Sequence, residues 1–460
     1  MYRRNLLQQL RQWKTKSNRK PLVLRGARQV GKTTLVNEFG KEFDHYIYLN
    51  MEKATDRRIF MQTDQVREVV TYLYARERIV YNKEEHTLLF IDEIQDSIPA
   101  IAMLRYFYEE CPDLYVIAAG SRLQKLLTKS RKTGEDRDFR HSFPVGRVEY
   151  LNLRPFSFGE YLSASGYEMW CEQILDLSVD ELLHKDIRDA FNTYALIGGM
   201  PEAVSLYIQN KDVVALRPVY KSIVTSYKDD VEDYVNSELQ VKILKHVLDY
   251  GWAEAGRAIT FSRFGNSNYS SSQIHEAMEI LQKAFVLNLD YPVTSTAAPA
   301  VPALNRSPKL VWMDNGLVNY LADIQLEYML NKDLLDTWRG QAAEHVVAQE
   351  LRVILDRQNK ENQFFWVRDK SGSSAEVDFI WQTSNHIIPI EVKNGHNSRL
   401  QSLHVFVDNS PEPVTAVRIW SEPFSVNDLF SATKKIPFRL INVPFYYVGV
   451  LDTILEKYMI

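Results

Sequence analysis

Cysteine is scarce: 460 residues hold only Cys111 and Cys171. Two thiols cannot form a disulfide framework or a four-ligand zinc site of their own, and they suit a reducing cytoplasm. Long apolar runs are missing as well; no stretch approaches the roughly 18 uninterrupted apolar residues of a membrane helix. At the start of the chain Gln8, Gln9, Arg11 and Gln12 break up any signal-peptide core. That stretch is Arg-rich and acid-poor like a transit peptide, but the motif beginning at Gly26 needs the strand directly before it. The expectation is a soluble cytoplasmic protein with no membrane association. Charge of one sign is not in excess, since the formal net charge is −4, which excludes a uniformly basic nucleic-acid coat. There is no repeat of fixed period and no low-complexity tract. With 45% hydrophobic and 25% charged residues the chain has ample core, so disorder and collagen-like structure are excluded. At roughly 150 residues per domain, about three domains are expected.

The charge is unevenly placed. Ten basic side chains lie between Arg3 and Lys32, with no acid before Glu38, and a second basic stretch runs from Arg122 to Arg140. Such runs are solvated faces or contacts for phosphates and nucleic acid. Up to about residue 155, short apolar runs alternate with helical patterns such as Asp64 to Ile79. The runs are Leu22 to Leu24, His45 to Leu49, Thr87 to Ile91 and Leu114 to Ala118. This alternation predicts a parallel sheet with helices on its faces, an α/β class. From Pro155 to Asp233 the pattern is mostly helical, interrupted by I-G-G-M-P at Ile197 to Pro201. A small helical module ending in a strand pair follows over Val241 to Pro292, and mixed α/β resumes near Trp312.

Gly26-Ala27-Arg28-Gln29-Val30-Gly31-Lys32-Thr33 matches G-x-x-x-x-G-K-[ST] between an apolar run and a helical pattern that opens with Thr34. Glycines let such a loop wrap a phosphate with its backbone N–H groups, and the following helix adds its positive end. Lys32 is expected to reach the β/γ-phosphates of ATP and Thr33 to bind Mg²⁺. A buried run, Leu88 to Ile91, ends in Asp92-Glu93. Carboxylates at the end of a buried strand are costly unless they serve a metal or a reacting water. Asp92 suits the Mg²⁺ shell and Glu93 the attacking water. A third strand ends at Ser121, which is placed either to sense the γ-phosphate or as a plain turn serine.

These segments, with R-V-E-Y-L-N-L-R-P-F-S-F-G-E-Y-L and Y-A-L-I-G-G-M-P-E-A, resemble the prokaryotic AAA-type ATPases related to the archaeal ATPase group. Members of that family carry a carboxy-terminal domain of unknown function. The resemblance spans Tyr2 to Val448 and implies ATP binding and hydrolysis, with Gly31, Lys32, Thr33, Asp92, Glu93 and Ser121 at the expected positions. For an arginine finger it leaves Arg147 as first candidate and Arg122 as second, each with a structural alternative.

Ser270 and Gln273 read as a capping box for a helix with apolar Ile274, Ala277, Met278 and Leu281, followed by a strand through Phe285, Leu287 and Leu289. Helices followed by a strand pair resemble a winged helix. His275, Glu276 and Glu279 on its outward side disfavour phosphate contact, so a structural or protein-contact role is expected.

Further on, Glu376 to Trp381 and Ile387 to Lys393 alternate like strands around a turn centred between Ser384 and Asn385, which would set Asp378 opposite Glu391. Glu391 and Lys393 share that face. Glu344 lies on the apolar stripe of Val347, Leu351 and Ile354. Together Glu344, Asp378, Glu391 and Lys393 resemble a restriction-endonuclease-like core, in which carboxylates hold Mg²⁺ and a Lys assists water. Pro389 implies a strand near an edge or lacking one ladder bond.

The expected architecture is a P-loop ATPase core at 1–155, a helical lid at 156–235, a winged-helix-like module at 236–295 and a nuclease-like α/β domain at 296–460. Three functions stay open. The first is an ATPase that couples hydrolysis to lid and carboxy-terminal rearrangement. The others are an ATP-gated metal-dependent nuclease on DNA or RNA, and a nucleotide-switched interaction protein. Homo-oligomers and nucleic-acid or protein partners are compatible with each.

Overall fold

The computed structural model describes residues 2–120, 144, 146–235, 237–325, 341–369, 375–393 and 400–459. They form two compact units, one of Arg3–Arg154 with Lys283–Phe285, the other of Pro155–Gln282 with Val286–Ile460.

The first unit is built on β1 (Leu22–Arg25), β2 (His45–Asn50), β3 (Thr87–Asp92), β4 (Tyr115–Gly120) and β5 (Glu149–Asn152). Their order is β2-β3-β4-β1-β5 and each pairing is parallel. The four apolar runs read from the sequence are β1 to β4. β3 and β4 are buried along their whole length, as continuous apolar runs covered on both faces must be. On one face Val23, Leu49, Ile91 and Val116 share a core with Phe60, Val69, Leu73, Leu104 and Phe107 from the helices Ala54–Gln62, Val66–Arg76 and Ile98–Glu110. Burying side chains of this size contributes about 1.5–3 kcal/mol each. β4 lies between β1 and β3, so the carboxyl ends of those two strands stand two strand spacings apart, about 10 Å. Open parallel sheets bind ligands in the crevice at that edge.

In the second unit, helices recur from Phe158 to Tyr234, the stretch read as mostly helical from Pro155 to Asp233, and a further helix is Glu238–Tyr250. The helix Ser271–Lys283 starts with the expected box: the Ser270 N–H donates to Gln273 Oε1 at 2.9 Å, and the Gln273 N–H donates to Ser270 Oγ at 3.3 Å. Ile274, Ala277, Met278 and Leu281 are its buried stripe. The strand that follows differs from expectation. Phe285 has φ 63° and lies in a turn, and β6 is Leu287–Asp290. Instead of forming a local hairpin, β6 pairs antiparallel with β8 (Lys309–Trp312), while β7 (Pro292–Val293) joins β9 (Phe364–Val367) in parallel. Strand pairing therefore crosses the expected 295/296 boundary twice.

A seven-stranded mixed sheet completes the unit, in the order β13-β14-β12-β11-β10-β9-β7. Its remaining strands are β10 (Glu376–Gln382), β11 (Ile387–Val392), β12 (Val414–Trp420), β13 (Ser425–Phe430) and β14 (Pro437–Pro444). The helix Gln401–Asn409 seals one face with Leu403, Phe406 and Val407. The β10–β11 ladder has Phe379 opposite Ile390 and Trp381 opposite Ile388, the register read from the turn, and its pairing ends at Phe379, one residue short of Asp378. β11 is an interior strand, so Pro389 does not mark an edge. Pairing with β12 starts only at Ile390, and the missing N–H costs no ladder bond on that side.

Candidate nucleotide site

The loop after β1 needs backbone that only glycine supplies. Gly26 has φ 154°, and a Cβ there would stand 2.3 Å from the Leu153 carbonyl oxygen. Gly31, at φ 94°, opens the helix Lys32–Gly40. Ala27 and Val30 are buried, Arg28 is half-buried, and Gln29 and Thr34 are exposed. The buried Arg4 guanidinium donates to the Val30 carbonyl at 2.9 Å and to the Arg154 carbonyl at 2.5 Å, tying the loop to the end of β5.

Lys32 is buried and donates to the Gly26 and Ala27 carbonyls at 3.0 and 2.7 Å. Burial lowers its pKa to about 8, against the pull of Glu93 and Asp92. Thr33 and Asp92, distant in sequence, meet: Thr33 Oγ1 donates to Asp92 Oδ2 at 2.7 Å. Tyr48 donates to the same oxygen at 3.2 Å, and the Glu93 N–H donates to Oδ1 at 3.0 Å. Burial nevertheless holds the Asp92 carboxyl above its ordinary range. Glu93 sits in left-handed backbone, φ 48°, and its carboxylate accepts from Gln95 Nε2 at 2.5 Å. The other amide atom of Gln95, Oε1, is buried without a partner.

Not every expected residue is at this edge. Glu149 is level with Leu22 in the β1–β5 ladder, so Arg147 stands at the amino end of the sheet. The loop leaves the opposite end, roughly 15–20 Å away at 3.3 Å per residue. Arg147 instead pairs with Glu109 at 3.0 Å, which removes it as an arginine finger within its own chain. Ser121 and Arg122 lie outside the described residues. Sequence reading passed over Tyr48, Gln95 and Arg4. The Gln95 signal was present, two positions past Glu93, whereas Tyr48 and Arg4 acquire neighbours only through the fold.

The second expected constellation, in the other unit, is arranged differently. Lys309, at the start of β8, puts its ammonium 2.8 Å from Glu376, 3.2 Å from Glu344 and 3.9 Å from Asp378. Glu391 pairs with Lys393 at 2.6 Å, and Asp378 Oδ2 accepts the Val392 N–H at 2.7 Å. Burial, with Asp378 close to each, pushes the Glu344 and Glu391 carboxyls up to about 7. Burial opposes charge on Lys309 too, but its three carboxylates outweigh it and hold the ammonium above its ordinary range. Among the described residues no group of three His, Cys, Asp or Glu is arranged to hold a metal ion. Neither Lys309 nor Glu376 was anticipated, since a lysine opening an apolar strand reads as a surface residue.

The first unit thus has the α/β form of a P-loop nucleotide-binding core, with its loop and an acidic strand end side by side. Residues 18–162 match the model of an AAA domain family. Residues 188–328 and 339–434 match two domains of unknown function, DUF8612 and DUF4143. No curated protein matches the chain. Solved structures with some likeness include the Walker-type ATPase PABY2304 of Pyrococcus abyssi, at 15% identity and TM-score 0.44, covering 70% of this chain and 96% of that one. The Aeropyrum pernix ORC1 protein, solved in complex with DNA, has 10% identity and TM-score 0.25, covering 71% and 92%. AMPPCP-bound DnaA from Aquifex aeolicus has 12% identity and TM-score 0.26, covering 60% and 86%.

Proposed function

We propose that the chain binds ATP with Mg²⁺ at the Gly26–Thr33 loop and hydrolyses it. The observation that carries this reading is the 2.7 Å contact between Thr33 Oγ1 and Asp92 Oδ2. Neighbouring oxygens in an octahedral Mg²⁺ shell of 2.0–2.1 Å lie about 2.9 Å apart, so this pair fits one ion with little movement. When bound, the ion would neutralise phosphate charge. The match of residues 18–162 to AAA domains supports the same reading.

The chain's own groups supply the rest. Lys32 exchanges two carbonyl acceptors for phosphate oxygens, and a polyanion nearby restores the proton affinity that burial lowers. Loop N–H groups and the start of the helix Lys32–Gly40 face the triphosphate. Glu93 orients the attacking water, with its carboxylate steadied by Gln95. Hydrolysis is coupled to the second unit through the chain leaving β5, which enters that unit at Pro155.

Calorimetric titration of ATP with Mg²⁺ into the wild type and Lys32→Ala tests binding. The expected result is loss of measurable affinity in the variant; unchanged affinity removes the assignment. Glu93→Gln should retain ATP while phosphate release falls by at least about a hundredfold.

A further inference from the structure

The carboxylate cluster of the second unit invites a metal, because a restriction-endonuclease-like core would hold Mg²⁺ there. Its geometry does not fit one. We infer that Lys309 is the resident cation of this cluster, its ammonium standing where a divalent ion would be held by Glu344 and Asp378.

Four observations carry the inference. The Lys309 side chain is only 5% exposed, so this is an internal charge. Its donors are committed inside the cluster, to Glu376 at 2.8 Å, to Glu344 at 3.2 Å and to the Asp378 carbonyl at 3.5 Å. Its backbone is fixed by strand pairing, with Lys309 opposite Asp290 in the β6–β8 ladder and bridged to Ala258, so the ammonium has not swung in from the surface. Finally, Glu391 gives one oxygen to Lys393, and its other oxygen is buried without a partner. Glu376, the third carboxylate beside Glu344 and Asp378, is the one closest to the ammonium, and among the described residues no group of three is arranged to hold a metal ion.

Mg²⁺ demands near-ideal octahedral oxygens at 2.0–2.1 Å and gives up water reluctantly. An ion shared by Glu344 and Asp378 would meet the Lys309 ammonium at contact distance, and like charges at that range in a buried site are strongly disfavoured. Lys309 instead fastens β8, the helix Gln341–Arg357 and β10 to one another by charge. On this reading the cluster is a structural tie, and the region works without metal-dependent strand cleavage.

Mn²⁺ binding followed by electron paramagnetic resonance decides the matter. The protein is the full nucleotide-free chain carrying Asp92→Asn, which removes the loop as a competing site. That parent is expected to hold no Mn²⁺ that Glu391→Gln or Asp378→Asn releases. Adding Lys309→Met should create one Mn²⁺ site, at least tenfold tighter than any in the parent, and Asp378→Asn should abolish it. A parent that binds Mn²⁺ tenfold more weakly after Glu391→Gln or Asp378→Asn overturns the inference. A folded Lys309→Met protein that takes up no ion overturns it equally. Should Lys309→Met fail to fold, Lys309→Arg keeps the charge and should fold without gaining Mn²⁺, while the parent comparison still decides.

Discussion

Asp314 accepts the N–H of Gly199 at 2.6 Å, joining the Gly198-Gly199 turn to the start of a helix 115 residues further along. The same carboxylate accepts the Leu317 N–H at 3.0 Å, so one fully buried side chain caps the helix Asn315–Leu321 and holds the turn that leads into the helix Pro201–Asn210. The turn leaves no room for a side chain: a Cβ on Gly199 would lie 2.1 Å from the Phe156 carbonyl oxygen. Removing a buried acceptor of several N–H groups strands each donor, at about 1–3 kcal/mol apiece. Asp314→Ala and Gly199→Ala should each lower unfolding free energy by about 3 kcal/mol or more in urea titrations. Losses below about 1 kcal/mol in both would show that this joint carries little of the stability.

A second buried carboxylate makes stability depend on pH. Glu350 accepts from the Tyr194 hydroxyl at 2.6 Å and the Phe158 N–H at 3.0 Å, and burial raises its pKa to about 7. The folded state therefore binds the proton more tightly than the unfolded chain, where the ordinary value is 4.5. This contribution is fully present below about pH 4.5 and is lost as pH rises through about 7, a change on the order of 3 kcal/mol. Glu350→Gln keeps an oxygen for both donors and cannot ionise. Its unfolding free energy should match the wild type near pH 4.5 and exceed it at pH 8. A constant difference between the two proteins across that range would rule the mechanism out.

Much of this was readable in the sequence, and the reason differs by element. β1 to β4 were legible because each is an apolar run bounded by polar residues, and a strand buried on both faces requires that pattern. The β10–β11 register followed from the position of one turn, since side chains alternate with period two. Pairing between distant strands carries no such local mark. β6 finds β8 across an intervening segment that includes β7, and nothing near Leu287 names Trp312 as its partner. Arg147 was misplaced for the same reason: which end of the sheet it occupies depends on the parallel pairing of β5 with β1. Lys309 shows the limit most sharply, because its environment comes from the helix Gln341–Arg357 and from β10, both later in the chain.

Gln95 offers a test of how Glu93 is held. Its amide steadies the carboxylate at 2.5 Å, and Glu93 itself sits in left-handed backbone directly after β3. If Glu93 orients the attacking water, Gln95→Ala should lower kcat for ATP about tenfold and leave KM within twofold, because the loop and Lys32 are untouched. Gln95→Glu places a second carboxylate against the first and should be at least as damaging. Equal changes in kcat and KM, or none, would mean that Gln95 is only a packing residue.

Arg147 makes the opposite kind of prediction. Its side chain is 45% exposed and pairs with Glu109, which Arg105 also contacts at 3.0 Å. Exposed pairs of this kind contribute little to stability, and the shared carboxylate keeps one cation when the other is removed. Within a single chain the residue is at the wrong end of the sheet to reach a γ-phosphate. Arg147→Ala should therefore leave ATP affinity and Tm unchanged, and leave phosphate release unchanged in dilute protein. If release falls at high protein concentration only, and mixing with Lys32→Ala protein, which keeps its own Arg147, restores it, then the arginine acts on a neighbouring copy. A loss already complete in dilute protein would contradict the sheet-end placement of Arg147.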